Sequence, residues 1–142
     1  KEKWQKDILE IVATEPDDRT IHWYWEKTGC SGKSTFCKYL AVKHHALIVG
    51  SKASDMKYMI VKYEEQHGVY PELIIMDIAR SKDTCDIDYE GIEEVKNGLF
   101  MSSKYECCQV IMNSPHIICF ANDSPNRSEM SKDRWKIVNI SN

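Results

Sequence analysis

At 142 residues the chain has length for one ordinary domain and too little for two large ones. Hydrophobic residues make up 42% and charged residues 29%, with Gly 6 and Pro 4, a balance that excludes disordered and collagen-like chains. The formal charge of −3, from 19 Lys and Arg against 22 Asp and Glu, excludes bulk attraction to nucleic acid, so any such contact must come from locally placed basic side chains.

The longest apolar runs, residues 73–76 (LIIM) and 117–121 (IICFA), fall far short of the roughly 20 residues that a bilayer span needs. The opening Lys1-Glu2-Lys3-Trp4 does not read as a signal peptide, so a soluble, intracellular chain with no membrane partner is expected. Cys30, Cys37, Cys85, Cys107, Cys108 and Cys119 are scattered and form no C-x-x-C, which points to free thiols rather than a disulfide framework or a zinc site.

In chain order, Trp4, Ile8, Ile11 and Val12 recur at helical spacing and Pro16 stops the pattern, so residues 2–14 are expected to form an amphipathic helix. Residues 19–25 (RTIHWYW) suit a strand, which runs straight into a loop over residues 26–35 with glycines at its turns. Phe36, Tyr39, Leu40 and Val42 carry a helix on to Lys43. Then come a short buried strand over 46–49, a helix over 55–66 stopped by Gly68, and a second buried strand over 72–79 (ELIIMDIA).

Beyond them lie a helix over 89–97 closed by Gly98 and a hairpin over 99–112 around Ser102-Ser103-Lys104. A third apolar strand over 115–121 leads to the turn Asn122-Asp123-Ser124-Pro125, and residues 135–140 (WKIVNI) form the last strand. With no internal repeat or linker tract, the pattern predicts an α/β fold whose parallel sheet is flanked by helices.

Gly29-x-x-Gly32-Lys33-Ser34, lying between a strand and a helix, has the make-up of a phosphate-binding loop. Glycines let backbone N–H groups approach phosphates, and the helix N-terminus adds its positive dipole end. Lys33 would reach the β- and γ-phosphates of ATP and Ser34 would ligate Mg²⁺, within a cradle of Gly29, Cys30, Ser31, Gly32, Lys33, Ser34 and Thr35. The usual G-x-x-x-x-G-K-[ST] spacing puts glycine at position 27, where this chain has Lys27.

A phosphate loop needs an acid on a neighbouring strand to hold the magnesium, and Asp77 closes an apolar run at the right place. It stands alone between Met76 and Ile78, which leaves the group that orients the attacking water unassigned. Asn122, at the end of the next apolar strand, is an amide able to hold a lytic water or a γ-phosphate oxygen without competing for the metal. The same Asn-Asp-Ser-Pro is equally a turn.

Taken together, residues 16–140 resemble the superfamily 3 helicase domain of replication initiator (Rep) proteins from circular single-stranded DNA viruses and their satellites. The likeness rests on P-D-D-R-T-I-H-W-Y-W ahead of G-C-S-G-K-S-T, then G-S-K-A-S-D-M, I-I-M-D-I-A-R, K-N-G-L-F-M-S-S-K-Y, I-I-C-F-A-N-x-x-P and M-S-K-D-R-W-K-I, in that order. It implies a P-loop NTPase of the AAA+ kind, with residues 16–142 as the ATPase domain and residues 1–15 as an N-terminal helical segment that serves oligomerisation.

The resemblance further implies that Gly29 to Ser34 is Walker A, Asp77 is Walker B, Lys104 lies in a DNA-contacting loop and Asn122 is motif C. It implies an ATP-driven hexameric ring on single-stranded DNA, working in the host nucleus. Arg134 of the D-R-W segment matches the finger that reaches a neighbouring subunit's ATP, with Arg127 as its competitor. Two features depart from the family pattern: Glu26 stands where many relatives have glycine, and the Walker B strand has one acid where many have two.

Family members also carry a nicking domain with a histidine-hydrophobic-histidine pair and a tyrosine followed three residues later by lysine. Here His44 and His45 are adjacent, so the histidine-hydrophobic-histidine pair is missing, and neither nicking nor rejoining of DNA is expected of this chain. Two rival readings use the same loop: a small P-loop phosphotransferase, and a nucleotide-gated assembly module that builds a ring without turnover.

Overall fold

The computed structural model describes residues 3–27, 32–78, 87–103 and 107–140. Helix α1 (Lys3–Val12) leads to β1 (Ile21–Trp25), α2 (Lys33–His44), β2 (Leu47–Val49), α3 (Ala53–His67), β3 (Leu73–Asp77) and α4 (Tyr89–Asn97). The hairpin β4 (Leu99–Ser102) and β5 (Cys108–Ile111) follows, then β6 (His116–Ala121), a 3-10 turn over Arg127–Glu129, and β7 (Trp135–Asn139).

Five strands form one parallel sheet in the order β2-β3-β6-β1-β7, while β4 and β5 pair antiparallel on their own. This is the α/β architecture that the apolar runs predict. Parallel strands read as continuous apolar runs because helices cover both their faces, and β6 is buried at all six positions.

Alternation along the strands sorts side chains into two cores. Ile21, Trp23, Ile74, Met76, Ile117, Cys119 and Ala121 face the side covered by α3, α4 and the hairpin. Tyr24, Leu73, Ile75, Ile118 and Phe120 face the side covered by α1 and α2. Trp4 of α1 packs edge-on against Phe36 of α2 and against Phe120, with ring centroids 5.3 and 5.8 Å away. Helix α1 thus shares a core with α2 and the sheet.

Gly98 caps α4 in the left-handed region (φ 78°), and a Cβ there would collide with the Met112 carbonyl, so the tight entry into the hairpin requires glycine. At the N-terminal end of the sheet Lys96 is almost wholly buried, donates to the Pro115 carbonyl at 2.6 Å and pairs with Asp17 at 3.5 Å. His22, His116 and Arg134 are buried in the same region. No helix among the described residues is long and apolar enough to cross a membrane.

Candidate functional site

The strands of a parallel sheet deliver their loops to one end, and that is where the sequence-derived candidates gather. The register pairs Asp77 with Phe120 and Phe120 with Tyr24; one step on, Ala121 pairs with Trp25. The ladder then continues, with Ile78 N–H donating to the Phe120 carbonyl at 2.9 Å and Glu26 N–H donating to the Ala121 carbonyl at 3.3 Å. Asn122 and Glu26 are thus the next register pair. By parity both share the sheet face of Tyr24 and Phe120, and Asp77 shares the face of Leu73 and Ile75. All three lie on the α2 side of the sheet.

Helix α2 begins at Lys33, two residues before the end of the expected loop, so Lys33, Ser34 and Thr35 form its first turn. Gly32 makes that start possible: it holds φ 81° with open space where a side chain would stand, and no side chain caps the helix. The helix is twelve residues long, and Ser34 and Thr35 in its first turn are exposed. Gly29, Cys30 and Ser31 lie outside the described residues, as does Lys104.

Lys33 folds back toward the sheet, its Nζ 3.7 Å from Glu26 Oε1, with the two side chains only 11% and 6% exposed. One turn along α2, burial pushes the Cys37 thiol up to about 12; the Asp77 carboxylate adds to that rise and Lys33 opposes it. One thiol thus feels both charges. Asn122 Oδ1 is buried without a hydrogen-bond partner among the described residues. Beside it, Lys27 and Asp123 form a 2.7 Å exposed ion pair that ties the start of the loop to the turn after β6.

These residues fit a nucleotide with magnesium. An uncapped helix start and a lysine offer positive charge and N–H donors to phosphates. The Ser34 hydroxyl and Asp77 carboxylate are hard oxygen donors of the kind Mg²⁺ takes in ones and twos alongside phosphate oxygens. Among the described residues, no group of three His, Cys, Asp or Glu is arranged to hold a metal without such help.

Arg134 stands at the other end of the sheet. Its carbonyl accepts from Ile21 N–H at 2.8 Å, at the first residue of β1, so the length of that strand, roughly 16 Å, separates it from Glu26. The guanidinium is buried, Nε donates to the Arg19 carbonyl at 3.2 Å, and Nη2 has no partner among the described residues. Arg127 is exposed on its 3-10 turn. The fold therefore brings together Lys33, Ser34, Asp77 and Asn122 and leaves Arg134 apart from them within one chain. Glu26, which the sequence reading treats as a departure from glycine, stands inside the group; its signal is the even-numbered series His22, Tyr24, Glu26 along β1.

Comparison with known proteins gives the lineage. Para-Rep C7 of Faba bean necrotic yellows C7 alphasatellite is 37% identical over 139 residues, which is 96% of this chain and 47% of that protein. Para-Rep C10 of Milk vetch dwarf C10 alphasatellite is 37% identical over 138 residues, 95% of this chain and 47% of its own length. The chain is homologous to alphasatellite Para-Rep proteins. Para-Rep C6 of Subterranean clover stunt C6 alphasatellite extends the set at 34% identity over 138 residues, 95% of this chain and 46% of that protein. The chain spans about half the length of these Para-Rep relatives. No protein-family model and no solved structure matches it.

Proposed function

We propose that the chain is the ATP-hydrolysing motor domain of a Rep-type replication protein, a helicase or translocase that works as a homo-oligomeric ring, most simply a hexamer, on single-stranded DNA. The observation that carries this reading is the convergence of Lys33, Ser34, Asp77 and Asn122 where β1, β3 and β6 end, on the face that α2 covers. Lys33 and the α2 N-terminus would hold the phosphates, and Ser34 and Asp77 would hold Mg²⁺, which when bound neutralises phosphate charge. Asn122 Oδ1, which has no partner among the described residues, would accept a hydrogen bond from the attacking water.

Assembly supplies the rest of the reading. Arg134 cannot reach the site of its own chain, so a role at the phosphates would have to be toward a neighbouring subunit, with its buried guanidinium turned outward on assembly. Leu99, Met101 and Ile111 are more than half exposed on the hairpin, an apolar surface that a second subunit would cover. Lys104, in the same hairpin connection, is the proposed DNA contact, and work on viral DNA would place the protein in the host nucleus. Similarity to Para-Rep proteins supports a role in replication.

The single acid on β3 favours the second reading, a nucleotide-gated assembly module with little turnover. An ATPase assay with and without single-stranded DNA, run beside a mass measurement, separates the two. DNA-stimulated turnover by an oligomer is the expected result, and nucleotide-dependent assembly without turnover would replace the motor with the module.

A further inference from the structure

Hydrolysis needs a group that takes a proton from the attacking water, and β3 offers only Asp77, which the proposed function commits to the metal. A second carboxylate stands two strands away. Glu26 extends β1 by one residue, held there by its N–H on the Ala121 carbonyl, and is 4% exposed. The last register pair of β1 and β6 is Trp25 with Ala121, and Asn122 is the next residue beyond the carbonyl that Glu26 N–H meets; its Oδ1 has no partner among the described residues. We propose that Glu26 is the carboxylate that orients the attacking water and accepts its proton, with Asn122 Oδ1 taking the water's other hydrogen; the proposal rests on the ATPase reading above.

The geometry suits one water. Neighbouring strands lie about 4.8 Å apart, and a water donating at about 2.8 Å to each of two oxygens bridges up to about twice that distance. Glu26 and Asn122 each follow the last register pair of adjacent strands, Trp25 and Ala121, a spacing at which one water would reach both side chains. The place is also right relative to the phosphates. Lys33 Nζ, the group that would meet the γ-phosphate, pairs with Glu26 Oε1 at 3.7 Å, so the carboxylate borders the space the ammonium would leave in turning to the phosphates.

The step balances as follows. The water oxygen forms its bond to the γ-phosphorus while one of its O–H bonds breaks and the proton passes to the Glu26 carboxylate. The bond from phosphorus to the β–γ bridging oxygen breaks, and the leaving diphosphate keeps the electron pair. The proton on Glu26 then passes to the released phosphate or to solvent. Before nucleotide arrives, the Lys33 ammonium pairs with the carboxylate in its buried position.

The test is Glu26→Gln in the whole chain, with Mg-ATP as the probe and with affinity and turnover measured separately. A positioned base contributes on the order of 10² to 10⁴ in rate, so turnover should fall at least 100-fold while affinity for Mg-ATP stays within about threefold or rises. Nucleotide recovered from the variant after mixing should be ATP, where wild type yields ADP. Glu26→Asp, which keeps the charge with a shorter reach, should bind normally and turn over slowly, and it decides the matter if the glutamine variant fails to fold.

A Gln variant that binds more tightly and turns over like wild type would make Glu26 a mere latch on Lys33 and overturn the proposal. So would an Asp variant as fast as wild type. In both cases the ATPase reading survives, because wild type is active; a wild-type chain that binds Mg-ATP without hydrolysing it overturns both.

Discussion

The Lys33 ammonium lies 3.7 Å from the Glu26 carboxylate, and neither side chain is more than about a tenth exposed. A buried pair of this kind is a weak source of stability, because desolvation offsets most of the Coulomb attraction. Its location is the more telling property: the first residue of α2 meets the residue that follows β1, at the sheet end where Asp77 and Asn122 also stand.

Asn122→Ala is expected to separate function from stability. Asn122 Oδ1 is buried without a partner among the described residues, so removing it relieves an unmet hydrogen-bond requirement and should change unfolding free energy by no more than about 1 kcal/mol in either direction. Turnover should nevertheless fall about 100-fold through loss of a group that holds the water. Urea unfolding beside an ATPase assay checks this; a large stability loss with turnover intact would make Asn122 a structural turn residue.

Asp77→Asn should keep nucleotide binding and lose magnesium-dependent hydrolysis. The amide preserves shape at an exposed strand end and removes the charge that would organise the metal. Metal-ion stabilisation of a phosphoryl transition state is worth several kcal/mol, so turnover should drop by about 100-fold or more. Magnesium titration of variant and wild type measures it, and an unchanged magnesium dependence would send the metal to another acid.

Arg134→Ala should bind ATP nearly normally and hydrolyse it poorly. Loss of the guanidinium's bond to the Arg19 carbonyl should cost about 2 kcal/mol of stability. A finger in trans is worth on the order of 10³-fold or more in turnover, and its effect depends on assembly, so specific activity of the wild type should rise with protein concentration. Mixing Arg134→Ala with Lys33→Ala should restore part of the activity at interfaces that hold one intact residue from each chain. Mixed oligomers that stay inactive would remove Arg134 from the trans role and make Arg127, which is exposed, the next residue to mix.

His22 and His116 should make the fold sensitive to mild acid. Burial pushes the His22 imidazole down to about 4, and the charges of Lys136, His116 and Lys96 add to the shift while Asp17 opposes it. His116 is lowered too, first by burial. A base whose folded pKa is depressed favours the folded state only while neutral, so this stability is complete above the unfolded pKa of about 6.5 and is lost as pH falls toward 4.

The His22 shift corresponds to roughly 3 kcal/mol. Asp17 acts lower on the scale: burial raises its carboxyl, but hydrogen bonds from Thr20 and Arg19 and the charge of Lys96 outweigh that and leave it below the usual carboxylate range. Its contribution is present above about pH 4 and fades in stronger acid. Unfolding at pH 7.5, 6 and 4.5 should show a decline that His22→Gln flattens; an equal slope in the variant would contradict this origin.

The sheet was legible because its strands are short apolar runs bounded by turn residues, and β3 and β6 read cleanly on both counts. Asp77 and Asn122 were legible for the same reason, as the first polar residues after such runs. Glu26 was not, because a motif template compares it with glycine, whereas its role depends on register with β6, a partner nearly a hundred residues away. The burial of Arg134 was equally hidden: it follows from β7 pairing beside β1 and from a carbonyl contributed by Arg19. The start of α2 at Lys33 depends on the left-handed Gly32, which sequence periodicity does not register.

The most direct measurement compares wild type with Lys33→Ala for ATP turnover across a range of protein, magnesium and single-stranded DNA concentrations. The expected result is magnesium-dependent turnover by wild type, stimulated by DNA, and none by the variant, because no other residue of the described site supplies a compact ammonium to the phosphates. Equal turnover by the two proteins, or none by wild type under any of these conditions, would contradict an ATP-hydrolysing site at the end of β1, β3 and β6.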